Sequence, residues 1–361
     1  MKKIVSLLCL MLACVFVVAG CGGGQPTATS APSESAAPAE STESADIGAL
    51  SVMEPQVWKI GGSGAPTNSS CYAQDVFAEL IAKNSNGLIT VEVYPNGQLG
   101  DDKTLISQVQ MGSVTGSDCN TSLLSSLDPA FMVMDLPYMT TSSQELYDII
   151  HGGFGDYLNE KLDSAAGLYA NSWIIKASRV IYNIDKPINT PDDLKGMKLR
   201  IMENPVMARS LEALGAIPVP MPASERVMAM QTGVVQGCEN SPAIIWQEKD
   251  YEVVKYISLT NHFTTPNVTL MSTNTLKALP DDIQKIVLDT GREAGDIACQ
   301  YDREVTDKSI VELENAGLEI NEISNIQLFV DAVKPVIDEY SPQIGDETLK
   351  IFNDIKAEVT K

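Results

Sequence analysis

The sequence predicts an α/β protein of two related lobes that face a shared cleft, with one long helix spanning both. Strand-like and helix-like segments alternate from residue 57 onward, which is the pattern of α/β folds. The stretch Q-x-G-x-V-x-G occurs twice, at 110–116 and at 231–237, each time after an amphipathic helix. A helical period continues over residues 281–316; such a helix measures about 54 Å at 1.5 Å per residue, which exceeds one lobe.

The amino-terminal segment has the features of an export signal. Two lysines precede an apolar run from Ile4 to Val18, and the run ends in "VVAGC" at Cys21. This ending resembles a bacterial lipobox, so we expect a signal peptide at 1–20 and a lipid on Cys21. A plain secretory signal or an uncleaved anchor helix is the alternative. Residues 22–55 are mostly Gly, Ser, Ala, Thr, Pro and Glu, so 21–55 is predicted to be a lipidated cysteine and flexible linker.

The first lobe is predicted from alternating strand and helix signals. Apolar residues at helical spacing and a closing Asn-Gly indicate a helix over 71–87, and an acidic first turn with a final glycine indicates another over 100–112. β-branched alternation indicates a strand between them. The predicted strands cover residues 57–60, 88–95 and 113–120. In α/β sheets ligands gather beyond the carboxyl ends of strands, so these ends are expected to face the cleft.

A second helix–strand unit leads to an arginine. Thr190 can cap a helix that has Pro191 at its first position, and Gly196 can close it. The strand "MKLRI" follows and carries Arg200 near its end. A guanidinium in an apolar strand needs an anion. From these residues alone the anion is either a carboxylate of the chain, such as Glu203, or one that arrives with a ligand.

Composition and charge exclude several classes of function. The chain of 361 residues has a formal net charge of −22, which argues against nucleic acid or anionic lipid as a partner. Only two histidines occur, without metal-ligand or triad spacing, and no nucleophile elbow, P-loop or dinucleotide motif is present. We therefore expect no enzyme activity, no metal and no cofactor. Four widely spaced cysteines are expected to be buried free thiols: Cys71, Cys119, Cys238 and Cys299.

Several motifs in one order resemble the DctP-type substrate-binding proteins of TRAP (tripartite ATP-independent periplasmic) transporters. The resemblance runs from about Val57 to the end of the chain. The motifs are "PNGQLGDDKTLISQVQMGSV", "LPYM", "INTPDDLKGMKLRIMENP", "LGAIPVPMPASE" and "MQTGVVQGCENSP". The resemblance implies a periplasmic-binding-protein-like fold whose two lobes close over an organic acid, with a long helix bridging the lobes.

The resemblance also implies ligand-binding residues. The family's arginine, in the motif that reads "KGMKLRI" here, pairs with the ligand carboxylate and corresponds to Arg200. Its asparagine in "GxEN" corresponds to Asn240, and an assisting arginine corresponds to Arg179. Ser63 and Asn120 stand where members place polar contacts of the first lobe. Sialic-acid-binding members often have Asn and Glu at those two places, so Ser and Asn argue against that ligand.

The predicted function is that of an extracytoplasmic solute-binding protein that delivers a small carboxylate to a TRAP permease. The alternatives are a co-receptor for a signalling system and a secreted hydrolase of acidic sugars. The protein is expected to be monomeric and held at the membrane by its lipid. The solute-binding domain is predicted at 56–361, with lobe I at about 56–177 plus 266–305 and lobe II at about 178–265 plus 306–361.

Overall fold

The computed structural model describes residues 50–361. The predicted signal peptide and the lipidation of Cys21 lie outside the described residues, as does most of the predicted linker. The strands are β1 (Gln56–Gly61), β2 (Ile89–Tyr94), β3 (Gly116–Asn120), β4 (Leu168–Ile174), β5 (Arg179–Asn183), β6 (Lys198–Ile201), β7 (Ile217–Pro220), β8 (Gly237–Asn240), β9 (Tyr256–Phe263), β10 (Asn267–Ser272) and β11 (Glu319–Glu322).

Twelve α-helices surround these strands in the described residues. They are α1 (Ser69–Asn84), α2 (Asp102–Gln110), α3 (Thr121–Leu124), α4 (Ser143–Ile149), α5 (Gly155–Ala166), α6 (Pro205–Ala213), α7 (Arg226–Gln231), α8 (Pro242–Gln247), α9 (Thr273–Lys277), α10 (Asp281–Asn315), α11 (Gln327–Ile344) and α12 (Asp346–Val359). The helix predicted after Thr190 is a single 3-10 turn, Pro191–Leu194, with a capping box at its start. Strand β3 ends at Asn120, which is also the N-cap of α3.

The strands form two sheets, and each sheet is the centre of one lobe. The first has the order β2-β1-β3-β10-β4, and the second has the order β11-β9-β5-β8-β6-β7. Strands β1, β2 and β3 pair in parallel, as do β6, β7 and β8. β10 and β5 run antiparallel to their neighbours. The predicted two-lobed α/β architecture is confirmed.

Between β1 and β11, three connections join the lobes. The chain crosses from β4 to β5 through residues 175–178 and returns from β9 to β10 through residues 264–266. The third connection is α10, a helix of 35 residues, which is about 52 Å long. Its residues Ile283 and Val287 pack in the core of the first lobe, and Leu313 packs in the core of the second. The prediction of one helix spanning both lobes is confirmed.

The repeated Q-x-G-x-V-x-G has the same structural use in each lobe. Gly112 and Gly233 both have a φ of 73°, which is the left-handed region that ends a helix. The last glycine of each repeat begins a strand. A Cβ on Gly116 would lie 3.0 Å from the carbonyl oxygen of Leu270, and one on Gly237 would lie 2.3 Å from that of Tyr182. At position 237 only glycine permits this approach of the neighbouring strand, whereas at position 116 a Cβ would make a tight contact.

The carboxyl-terminal helices divide between the lobes in a way that the sequence did not predict. Residues 306–361 were assigned to the second lobe. Phe329 and Val333 of α11 do pack in the second-lobe core, but Tyr340 of α11 and Phe352 of α12 pack in the core of the first. This segment therefore returns from one lobe to the other. Between residues 50 and 361, no helix combines the length and the apolar character that crossing a bilayer requires.

Candidate functional site

The two sheets direct their strand ends at one cleft. Two adjoining cavities, of about 210 Å³ and about 100 Å³, share six lining residues and occupy this cleft. All five residues predicted to contact a ligand line the smaller cavity: Ser63, Asn120, Arg179, Arg200 and Asn240. The register explains why they meet. Asn120 is paired with Asn267 at the end of β3, and Asn240 is paired with Val180 at the end of β8.

Arg200 is 2% exposed and lines both cavities. Its strand β6 lies between β7 and β8, so its side chain reaches past the end of β7. There its Nε and Nη2 donate to the carbonyl oxygen of Met221 at 3.0 and 2.7 Å. Within residues 50–361 it forms no ion pair, and Glu203, the carboxylate that the sequence offered as its partner, is bound by Lys103 at 2.8 Å. The guanidinium is thus oriented by a neutral group and keeps its charge uncompensated by a direct partner.

Arg179 has its anion within the chain. It forms a bidentate pair with the carboxylate of Glu239, with Nη2 2.7 Å from Oε1, and also donates to the carbonyl oxygen of that residue at 2.9 Å. Burial alone would lower the pKa of Arg179, but Glu239 holds the pKa above its ordinary value. Nη1 of Arg179 donates to Oδ1 of Asn240 at 3.1 Å. Arg179 therefore orients Asn240, and Nδ2 of Asn240 has no partner within the described residues.

Asn120 and Ser63 are the two residues of the first lobe predicted to contact a ligand. They differ in how many of their hydrogen-bonding groups the protein already uses. Oδ1 of Asn120 caps α3 by accepting from the backbone of Ser122 at 3.0 Å, and Nδ2 donates to Oδ1 of Asn267 at 3.0 Å. Both ends of the Asn120 amide are therefore used by the protein. Ser63 lines both cavities and lies against the carboxylate of Asp102. It is the more accessible of the two.

Three charged residues of the first lobe were not predicted as ligand contacts. Asp118 is buried on β3, where its Oδ1 accepts from Nδ2 of Asn267 at 2.8 Å. Asp102 lies in the first turn of α2, and its Oδ1 is buried without a hydrogen-bond partner within residues 50–361. Burial, and then the charge of Asp118, raises the pKa of Asp102 to about 7; burial also raises that of Asp118. Lys176 follows the end of β4, and its Nζ lies 3.3 Å from Oδ1 of Asn68.

A polar network closes the floor of the cleft. Nδ2 of Asn68, on the first lobe, donates to Oε1 of Glu248 on the second at 2.9 Å. Glu248 accepts from Nη2 of Arg226 at 2.5 Å, and Arg226 also pairs with Asp250 at 2.7 Å. Burial would raise the pKa of Glu248, but Arg226, Asn68 and Lys176 together lower it below its ordinary value. Of the three arginines lining the smaller cavity, Arg179 and Arg226 are thus bound to carboxylates, and Arg200 is not.

Comparison with known sequences decides the family. Residues 61–343 match the family described as "Bacterial extracellular solute-binding protein, family 7", or DctP. The chain belongs to this family. The C4-dicarboxylate-binding periplasmic protein DctP of Rhodobacter capsulatus is 31% identical over 317 residues, which cover 86% of this chain and 95% of that protein. The resemblance inferred from the motifs is confirmed.

Solved structures of TRAP periplasmic solute-binding proteins share the fold of this DctP-family protein. The sugar-acid-binding protein DctPAm of Advenella mimigardefordensis, in complex with galactonate, is 29% identical with a TM-score of 0.82, covering 85% of this chain and 99% of that one. A TRAP periplasmic solute-binding protein of Roseobacter denitrificans with bound β-D-glucuronate is 28% identical with a TM-score of 0.80, covering 84% and 99%. Family and fold together make this an extracytoplasmic solute-binding protein of the TRAP type.

Proposed function

We propose that this DctP-family protein binds a small organic carboxylate in its cleft and that Arg200 pairs with the carboxylate. The support is the contrast among the arginines. Arg200 is buried, is held in position by the Met221 carbonyl, and has no ion-pair partner within residues 50–361. A planar guanidinium can grip a carboxylate through two parallel hydrogen bonds, which a lysine cannot do. Asn240 adds an amide donor whose orientation Arg179 fixes.

The test replaces Arg200 by alanine. A thermal-shift screen over organic acids first identifies a binder, because a ligand at 100 times its Kd adds about 2.7 kcal/mol to the free energy of unfolding. Calorimetry with that acid is expected to show at least tenfold weaker binding by Arg200→Ala. Arg209→Ala is the matched control, because Arg209 forms an exposed ion pair with Glu339 at 3.0 Å, away from the cavities. Equal affinities of the Arg200 variant and the wild type would refute the proposed role.

We propose further that the bound acid is released unchanged to a TRAP permease. Lobe closure over a ligand changes the surface that the protein presents, and the ligand shifts the population of closed molecules. A strain lacking this protein is expected to lose uptake of the identified acid, and complementation should restore uptake. Acid recovered intact after long incubation with the protein would support binding without catalysis; a product would contradict it.

The lipid anchor is proposed from the sequence "VVAGC" alone. Cys21→Ala should abolish labelling of the protein by radioactive palmitate, since a thioether-linked lipid needs the cysteine sulfur. Cys14→Ala is the control, because Cys14 lies in the apolar run of the predicted signal. Palmitate labelling that survives in Cys21→Ala would exclude this form of anchoring.

A further inference from the structure

One wall of the cleft carries charges of both signs. We call Asp102, Asp118 and Lys176 the mixed-charge wall. All three line the smaller cavity together with Arg200. They come from three elements of the first lobe, the start of α2, the strand β3 and the crossover after β4. Arg200 comes from the second lobe, so a molecule held by Arg200 presents its other end to this wall.

The two aspartates of the wall offer oxygen acceptors to the cleft. Asp118 is 3% exposed, and Asn267 binds one of its oxygens. Oδ1 of Asp102 is buried and accepts no hydrogen bond within residues 50–361. A buried acceptor without a donor is costly, so a group that supplies a donor there is favoured. The fold thus provides an acceptor that the described chain does not satisfy.

Because Lys176 lies among carboxylates, the mixed-charge wall suits neither a negatively charged nor a positively charged group of a ligand. Lys176 is 8% exposed, and its positive charge opposes the effect of burial, which raises the pKa of each carboxylate around it. These carboxylates are Asp102, Asp118, Glu248 and Asp302. A second ligand carboxylate would meet the carboxylates of Asp102 and Asp118, and a ligand ammonium would meet the buried ammonium of Lys176. Like charges at short range in a poorly solvated site repel strongly.

Neutral groups that both donate and accept suit such a wall. A hydroxyl has one donor and two acceptor lone pairs, so it can donate to an aspartate and accept from a lysine at once. The amides of Asn68 and Asn267, which hold Lys176 and Asp118, line the same cavity. They add neutral polar surface on either side.

We propose that the ligand is a polyhydroxylated monocarboxylate, a sugar acid of the aldonate or uronate type, whose hydroxyls bind the mixed-charge wall. This rests on the proposed function, since the carboxylate is placed on Arg200. Asp102 and Asp118 accept from the hydroxyls, and Lys176 donates to them. The same wall selects against dicarboxylates and against acids that carry an ammonium group.

Calorimetry at pH 8 tests this with a panel of hexonates and hexuronates, with succinate as the dicarboxylate and with γ-aminobutyrate as the ammonium-bearing acid. At least one sugar acid should bind tenfold or more tightly than succinate and γ-aminobutyrate. In Asp102→Asn and Asp118→Asn the ratio of sugar-acid affinity to succinate affinity should fall at least tenfold. Asp307→Asn is the matched control, because Asp307 is exposed on α10 without a hydrogen bond or ion pair within residues 50–361. Its ratio should equal that of the wild type.

The outcomes separate this inference from the proposed function. Tighter binding of succinate than of every sugar acid, lost in Arg200→Ala, overturns the sugar-acid assignment and leaves the carboxylate site standing. Sugar-acid binding that survives Arg200→Ala overturns the proposed function instead. An unchanged ratio in both aspartate variants removes the wall from recognition and overturns the inference, as does failure of the whole panel to bind. If Asp118→Asn does not fold, Asp102→Asn decides alone, because its unpartnered oxygen holds no other element in place.

Discussion

At the residue scale, the same side chain serves two purposes depending on its neighbours. Arg179 and Arg200 are both buried arginines at strand ends of one sheet. Glu239 satisfies Arg179, whereas Arg200 meets only the Met221 carbonyl. Removing either partner of a buried ion pair is costly, so Arg179 has a structural role. Arg200 remains able to exchange water for a ligand carboxylate.

The two cleft asparagines should respond differently to the same change. Asn240→Asp keeps the oxygen that accepts from Arg179 but removes the free amide donor and adds a negative charge. We expect at least tenfold weaker carboxylate binding by calorimetry, about 1.4 kcal/mol, with an unchanged melting temperature. Asn120→Asp removes the donor to Asn267, so it should lower the melting temperature. Wild-type affinity of Asn240→Asp would show that its amide does not face the ligand.

Asp102 makes stability depend on pH in the direction opposite to that of a paired carboxylate. Burial, and then Asp118, raises its pKa to about 7 in the folded protein, against about 3.9 in an unfolded chain. The folded state therefore binds the proton more tightly, and ionisation of Asp102 destabilises the protein as the pH rises from about 4 to about 7.

Asp102→Asn should relieve this cost. At pH 8 we expect the variant to exceed the wild type in free energy of unfolding by about 1 kcal/mol, a figure reduced for partial solvent screening. At pH 4 the difference should largely vanish, because Asp102 is then protonated in the folded protein and about half protonated in the unfolded chain. Urea denaturation of ligand-free protein at both pH values measures it. A wild type more stable than the variant at pH 8 would mean that the charge has a stabilising partner.

At the element scale, the repeat shows how glycine spacing builds both lobes alike. The helix-ending glycine and the strand-opening glycine lie four residues apart in each copy, and each strand then ends in an asparagine of the cleft. The valine between the two glycines, Val114 or Val235, is buried. The repeat therefore fixes where Asn120 and Asn240 emerge without contacting a ligand itself.

Alanine substitutions at two glycines of one repeat compare the stability lost through a steric clash with the stability lost through an unfavourable backbone conformation. Gly237→Ala should lower the free energy of unfolding by about 3 kcal/mol or more, because its Cβ would meet the carbonyl oxygen of Tyr182 at 2.3 Å, inside a paired strand. Gly233→Ala has no atom within 4 Å of its Cβ and a φ of 73°, so its cost should be about 1 kcal/mol. Urea titrations compare them. Equal costs would mean that the strands can separate to admit a methyl group.

The sequence predicted the parts of the site that periodic or repeated patterns mark. The long helix was found from its spacing to within one residue, and Arg200 was found from its place in a recognisable strand. The mixed-charge wall was not found, because two aspartates among 47 acidic residues carry no local signal. Only the pairing of β3 and β4 with β10, in which Asn120, Asn267 and Ile174 are in register, brings Asp118 and Lys176 to one edge.

The sequence does not predict which lobe the carboxyl-terminal helices pack against, for a related reason. α11 is amphipathic, so its sequence predicts one buried face but not which core covers it. Its first half packs on the second lobe and its second half on the first. Such a choice depends on contacts between distant parts of the chain, as does the pairing of Asn68 with Glu248 across the cleft.

At the scale of the whole molecule, an ion pair spans the mouth of the cleft. Lys103 of α2 and Glu203 beyond β6 lie 2.8 Å apart on opposite lobes, with side chains 57% and 40% exposed. Both line the larger cavity. An exposed pair of this kind contributes about 0–1 kcal/mol and weakens with salt. It can bias the lobes toward closure only slightly.

Exchanging the charges of Lys103 and Glu203 tests whether Lys103 acts by holding the lobes closed through this ion pair, which we call a latch, or by contacting the ligand. Lys103→Glu alone should weaken carboxylate binding less than about fivefold, since a latch contributes at most about 1 kcal/mol. Adding Glu203→Lys should restore the affinity, because the pair re-forms with reversed sign and closure is again favoured. Calorimetry at low and high salt should show the single-variant effect shrinking with salt. A tenfold loss that the second substitution does not recover would place Lys103 in direct contact with the ligand, and the cleft would then offer a second cation to the bound acid.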